Sequence, residues 1–236
     1  YLFSVRYYFD EVTPDNLEPE GIDLPGFSYY DTQNGFHIYK NDYALPMGFT
    51  FDTYVSRSQW ETYSESDRCN LLLRALVLED DAVETYQKDM QKLPDAVHQM
   101  SDEDLLAECT ERAKTACDSF TYNSKGFHAT ISTDHENLVF FSVPWEEGWS
   151  AEVNGEPVAI EKADIGFMAV PVAAGDSEIT FTYHTPGLKA GALLSLGGLV
   201  LFAGYLTVAG IYNKRHPNPK TESICCVDYS TEETAN

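Results

Sequence analysis

Positive charge is scarce in this chain: 15 Lys plus Arg stand against 38 Asp plus Glu, a formal net charge of −23 over 236 residues. A surface of that sign repels phosphate backbones and anionic lipid headgroups, which argues against nucleic acid as a partner. Cysteine is sparse too, since five residues are too few for a disulfide scaffold and no Cys-x-x-Cys spacing is present to hold a metal. Cys109 and Cys117 fall in one expected helix, where their separation is roughly 12 Å of rise, beyond disulfide reach, so either could pair only with Cys69. Cys225 and Cys226, neighbours near the C-terminus, could be a metal, lipidation or redox site or an inert pair. A glycine-rich phosphate loop is missing, and no nucleophile motif accompanies His37, His98, His128 or His184. No cofactor, metal or catalytic residue is therefore expected. Tyr1-Leu2-Phe3-Ser4-Val5-Arg6 has neither an initiator Met nor a charged stretch leading into an apolar core. The chain thus reads as a C-terminal piece, exported by something upstream.

Long apolar runs are also absent until Ala190, where 23 uncharged residues rich in Leu, Ala, Gly and Val extend to Tyr212. At 1.5 Å per residue they reach roughly 34 Å, enough to cross a bilayer core. A soluble helix would lose about 1 kcal/mol for each of its glycines, whereas membrane helices tolerate them. Gly187, Gly191 and Ser195 recur every four residues, a face on which another span could pack closely. Asn213-Lys214-Arg215-His216 follows the run and only Lys189 closely precedes it, so the positive-inside rule puts the C-terminus in the cytoplasm. The expected organisation is an extracytoplasmic body over 1–185, a transmembrane helix over 186–212 and a cytoplasmic tail over 213–236. Most of the negative charge belongs to the body.

Within the body, residues 1–60 alternate aromatic and polar side chains, as in Gly35-Phe36-His37-Ile38-Tyr39-Lys40, with turn formers between. Leu71, Leu72, Ala75, Leu76 and Leu78 recur at helical spacing, and Ser101-Asp102-Glu103-Asp104 carries a capping signal. Two or three helices are expected over about 66–119, divided by Pro94. Beyond Phe120 the period returns to two, through Phe127, Ala129 and Ile131, then Leu138 and Phe140, then Ile179, Phe181 and Tyr183. Asn154-Gly155 should close a two-residue hairpin, and Gly175-Asp176 marks another turn. The fold class expected is mainly β (α+β): an antiparallel β-sandwich or jelly-roll-like domain with a helical insertion, followed by one membrane helix.

One segment carries a resemblance. Val143-Pro144-Trp145-Glu146-Glu147-Gly148-Trp149-Ser150-Ala151-Glu152-Val153-Asn154-Gly155 resembles the signature of YfhO-type bacterial membrane proteins. Tyr43-Ala44-Leu45-Pro46-Met47-Gly48-Phe49, Leu2 to Tyr8, and the approach to the last helix from Tyr183 to Gly191 are similar to it as well; Trp145 and Glu146-Glu147 depart from the commoner forms. The resemblance implies a polytopic glycosyltransferase-like protein that uses a lipid-linked sugar in a Gram-positive cell envelope. It also implies partners: upstream transmembrane helices of the same protein, and an envelope glycan or teichoic acid. The proposed catalytic acids of such proteins sit in an early loop that would precede residue 1.

Trp145 and Trp149 are the candidate ligand-binding residues, because large amphipathic rings can stack on sugars. Core packing around a turn is the other reading of both. Asp134-His135-Glu136 offers three metal ligands, yet consecutive residues of an extended segment face opposite ways, so a solvated turn is the better expectation. Glu79-Asp80-Asp81 and Asp102-Glu103-Asp104 suit helix starts, where acids complement the dipole.

Overall fold

The computed structural model describes residues 2–94 and 100–216. In chain order the elements are β1 (Tyr7–Glu11), β2 (Phe27–Gln33), β3 (Phe36–Asn41), β4 (Phe49–Thr50), β5 (Thr53–Ser56), α1 (Arg57–Thr62), α2 (Glu65–Leu71), β6 (Leu76–Leu78), α3 (Asp80–Tyr86) and β7 (Gln91–Lys92). They continue with α4 (Asp102–Lys114), β8 (Ser119–Asn123), β9 (Gly126–Thr133), β10 (Asn137–Pro144), β11 (Trp149–Val153), β12 (Glu156–Val158), β13 (Glu161–Ala163), β14 (Phe167–Val172), β15 (Gly175–Tyr183) and α5 (Leu188–Arg215). The chain divides into two units at the Thr185–Pro186 junction.

The first unit is β-rich, in line with the expected fold class. Its strands form a three-stranded sheet, β1-β3-β2, a seven-stranded sheet, β4-β10-β14-β13-β6-β5-β7, and a five-stranded sheet, β12-β11-β15-β9-β8. The larger two share a core: Phe127, Ala129 and Ile131 of β9 and Ile179 and Phe181 of β15 meet Val139 and Phe141 of β10 and Met168, Val170 and Val172 of β14. This is face-to-face sandwich packing, each strand sending alternate residues inward.

The middle of β10 is buried on both faces, which differs from the half-buried alternation expected of Leu138 and Phe140. Those two residues enter a second core with Phe49, Phe51, Leu76, Leu78 and Cys109, while Val139 and Phe141 enter the first. The seven-stranded sheet is thus covered twice, by the five-stranded sheet on one side and by α4 and its neighbouring loops on the other.

Helices begin earlier than expected, at Arg57, and the stretch interleaves them with strands. The spacing from Leu71 to Leu78 does not continue a helix: α2 ends at Leu71, and Leu76–Leu78 is a wholly buried strand paired parallel with β5. A short continuous apolar run suits a buried strand as well as a helix, and here the central sheet claims it. Because β5 and β6 run parallel, α1 and α2 are the crossover that parallel pairing requires. Ser56 and Ser64 cap these helices, and Ser101 closes a capping box with Asp104 on α4. α4 stops at Lys114, so Cys117 is not on the helix with Cys109; its N–H instead donates to Gly48 O (2.8 Å).

Asn154 (φ 54°) and Gly155 (φ 82°) turn β11 into β12 as expected, with Val153 opposite Glu156. The second expected turn lies slightly earlier, since Gly175 already opens β15.

The second unit contains α5, 28 residues long, with a mean hydropathy of 2.0 in its most apolar window and no side chain buried within the structure. Its length and composition suffice to cross a membrane. Gly187 (φ 75°) caps the start, so it does not share the helical face of Gly191 and Ser195. Residues 217–236 of the expected tail, including Cys225 and Cys226, lie outside the described residues, as does His98.

Candidate functional site

A groove of ≈ 700 Å³ opens where the two large sheets end together. The five-stranded sheet and the hairpin joining β8 to β9 contribute Phe120, Tyr122, Lys125, Phe127, Trp149 and Tyr183; Met47, Val143, Pro144 and Glu146 complete the wall. Register explains the convergence. Tyr122 is opposite Phe127, Phe127 is opposite Phe181, and Trp149 is opposite Tyr183, so rings far apart in sequence stand on one face.

The rings pack on one another as well as facing the groove. Phe127 stacks on Phe181 with centroids 4.4 Å apart, and Trp149 meets Phe127 edge-on at 5.6 Å and Tyr183 at 5.0 Å. Two glycines allow this closeness. A Cβ on Gly126 would fall 1.9 Å from Phe181 O, and one on Gly148 would fall 2.5 Å from His184 O and 2.6 Å from the Tyr183 ring. Only glycine lets the backbone approach so near.

Polar groups rim this apolar floor. Tyr183 OH donates to Glu146 Oε2 (2.6 Å), and that hydrogen bond holds the phenol above its ordinary pKa. Asn123 Oδ1 accepts from the Lys125 amide (2.7 Å) and shapes the turn, while Tyr122 stands 83% exposed at the mouth. An aromatic surface with a few hydrogen-bonding groups at its edge suits a ligand that is apolar on one face and polar around its perimeter.

Of the two tryptophans singled out in the sequence, Trp149 lines this groove and is half-buried. Trp145 lies outside the lining: its backbone N–H donates to Gly166 O (2.8 Å), and Lys162 Nζ sits 4.0 Å from its ring centroid, a cation–π contact that occupies one ring face. Sequence reading missed Tyr122, Lys125 and the pairing of Glu146 with Tyr183. The signal available was Tyr122 just ahead of the Asn123-Ser124-Lys125-Gly126 turn.

The remaining candidates have structural roles. Asp134-His135-Glu136 is an exposed turn between β9 and β10, and no group of three or more metal-ligating side chains occurs among the described residues. Asp80 accepts from the Ser58 amide (3.1 Å) and hydroxyl (2.9 Å), and Asp104 reciprocates the Ser101 cap. Cys69, Cys109 and Cys117 are all free thiols; burial pushes Cys109 up to about 11 and Cys117 up to about 12, which keeps both protonated and unreactive. Asp164 was not anticipated. Its buried carboxyl accepts the Val77 amide (2.9 Å) with Oδ1, Oδ2 has no partner among the described residues, and burial raises its pKa to about 8.

Comparison with known proteins covers much of this region. Residues 95–195 match the family described as "Bacterial membrane protein YfhO". "Uncharacterized protein YfhO" of Bacillus subtilis (strain 168) is 30% identical over 121 residues, which are 51% of this chain and 13% of that protein. No solved structure matches. The segments around Trp149 and ahead of α5 fall inside the matched range, whereas Leu2 to Tyr8 and Tyr43 to Phe49 lie before it. The family match over residues 95–195, a relative bearing the same name and one helix fit to span a bilayer make this chain similar to the YfhO-type bacterial membrane proteins.

Proposed function

We propose that the body is the extracytoplasmic glycan-recognition part of a polytopic, glycosyltransferase-like protein of the cell envelope, and that a sugar ring lies against Trp149 in the aromatic groove. The observation that carries this reading is the groove itself, in which Trp149, Tyr122 and Phe120 present aromatic surface between the polar groups of Asn123, Lys125 and Glu146. A pyranose offers C–H groups on its flat face and hydroxyls at its rim, the pattern such a wall complements. Chemistry would belong to a membrane-embedded part, with α5 as one span packed against others and the tail on the cytoplasmic side. Lys214 and Arg215 at the end of α5 support that orientation.

The rival is a noncatalytic envelope binding module or a structural cap, and the ring contacts of Trp149 with Phe127, Phe181 and Tyr183 favour the cap. Calorimetry of the detergent-solubilised chain with teichoic acid and peptidoglycan fragments separates glycan recognition from the cap. The expected result is saturable binding that Trp149→Ala and Tyr122→Ala each weaken about tenfold, as for an anchoring aromatic, and that Trp145→Ala leaves unchanged. A folded chain that takes up neither ligand at millimolar concentration would leave the cap as the better account.

A further inference from the structure

The three-stranded sheet carries a second surface, separate from the groove. Its inner face is covered at the centre by residues 12–26: His37 Nε2 donates to Asn16 O (2.8 Å), Tyr39 OH donates to Glu20 O (2.8 Å), and both rings are buried, while Tyr8 and Tyr29 beside Tyr39 stay 40% and 47% exposed at the margins. Register then fixes what the outer face presents. Tyr7 is opposite Lys40, Phe9 opposite Ile38 and Glu11 opposite Phe36, while from the other neighbour Asp31 pairs with Ile38. Tyr30, at the bulge between Tyr29 and Asp31, brings its ring 5.9 Å from Tyr7.

An antiparallel sheet with one covered face ordinarily turns polar residues outward. Here Tyr7, Phe9, Tyr30 and Phe36 remain 43%, 58%, 60% and 39% exposed. A contiguous aromatic patch of this kind on a soluble body marks an interaction surface.

The charge around it selects the partner. From Tyr7 to Tyr39 the chain has seven acidic residues and no Lys or Arg. Lys40, the cation on the outer face, is held by Asp42 at 2.7 Å. Neither Glu11 nor Asp31 has a cationic partner among the described residues. Aromatic faces carry the negative end of the ring quadrupole and attract ammonium or guanidinium groups, and adjacent carboxylates that no cation neutralises add to that attraction, although Asp31 already accepts from the Thr32 amide (2.8 Å) and Gln33 Nε2 (2.5 Å). A net charge of −23 steers cations toward the body and repels a second copy of it.

We propose that the outer face of the β1-β3-β2 sheet docks a Lys- or Arg-bearing polypeptide segment, whose cations seat on Phe9, Tyr30 and Tyr7 beside Glu11 and Asp31. The face precedes the family-matched residues, and none of these side chains lines the groove, so the proposal stands apart from glycan recognition.

The test is a fluorescence-anisotropy titration of the full chain in zwitterionic nanodiscs with a labelled short Lys/Ser peptide. A Glu/Ser peptide and a neutral oligosaccharide serve as counter-probes. Phe9→Ser combined with Tyr30→Ser removes two rings and keeps the net charge; Glu84→Gln combined with Glu103→Gln removes two remote charges and keeps the rings. The expected result is that the ring variant weakens peptide binding about tenfold and the remote-charge variant less than about twofold. Carbodiimide should then join peptide lysines to Glu11 and Asp31. Equal losses in the two variants, cross-links found mainly elsewhere, no binding at millimolar peptide, or preference for the neutral oligosaccharide would overturn the proposal. Both replaced rings are exposed, so unchanged urea midpoints are expected; should the double variant unfold, Tyr30→Ser alone makes the same comparison.

Discussion

Asp164 shows what one buried group can do to the pH response of the whole body. Its amide donates to Val77 O (2.9 Å) and its carboxyl accepts from Val77 N–H, so the residue pairs with β6 as a strand neighbour would. Burial lifts its pKa from 3.8 to about 8. Between those values the unfolded chain has released the proton and the folded chain still holds it, so this group's contribution to stability falls as pH rises and levels off above the folded pKa. Inside the window the slope approaches about 1.4 kcal/mol per pH unit. Asp164→Asn keeps an acceptor for Val77 without a titrating proton. Urea midpoints followed by tryptophan fluorescence should therefore favour the variant increasingly as pH rises, and parallel curves for the two proteins would refute this account. None of it was legible in the sequence, because nothing in Ala163-Asp164-Ile165-Gly166 signals burial and only tertiary closure buries the carboxylate.

At the scale of elements, features set by local backbone chemistry were readable and those set by a distant partner were not. Asn154-Gly155 and the Ser101 cap belong to the first kind, since positive φ and an orphan helix N–H are properties of a few consecutive residues. β10 belongs to the second: alternation predicts one buried face, but α4 and the five-stranded sheet cover both. The Leu71 to Leu78 run is of the second kind too, as pairing with β5 decides between helix and strand. The groove divides the same way. Trp149 was visible as a large aromatic near a glycine, whereas Tyr122 and Tyr183 reach it only through the pairing of β8, β9, β15 and β11. Gly148 joins both scales, because its missing Cβ lets β11 start against the end of β15. Gly148→Ala would force the new methyl against His184 O, whose residue is tied to Gly148 by a 2.8 Å hydrogen bond, so relief requires moving backbone. We expect a loss of about 1–3 kcal/mol in urea unfolding, the usual cost of overpacking, together with weaker ligand uptake in the groove. Gly166→Ala, with no atom within 4 Å of its Cβ and no positive φ, should leave both readouts near wild type.

For the whole molecule, the consequential property is the side of the membrane on which each unit lies, and the free thiols provide its readout. Cys69 is exposed on the body, while Cys109 and Cys117 are kept from reacting by burial that raises their pKa to about 11 and about 12. Cys225 and Cys226 lie beyond α5 in sequence. The basic pair Lys214 and Arg215 follows the apolar part of α5, so retention of positive charge in the cytoplasm favours a body outside. In intact cells making the chain behind a cleavable export signal, a membrane-impermeant maleimide should label Cys69 at neutral pH, and Cys225 and Cys226 only after the membrane is opened. Cys69→Ser should abolish the first signal and leave the second. Replacing Leu199 and Val200 by Arg adds about 2.5–3.5 kcal/mol per residue to insertion at a helix centre, so that variant should become extractable by alkaline carbonate and lose the distinction between the two labelling steps. Labelling of Cys225 and Cys226 before that of Cys69 would reverse the orientation. It would also remove envelope glycans from the ligands the groove could meet, and the recognition reading would go with them.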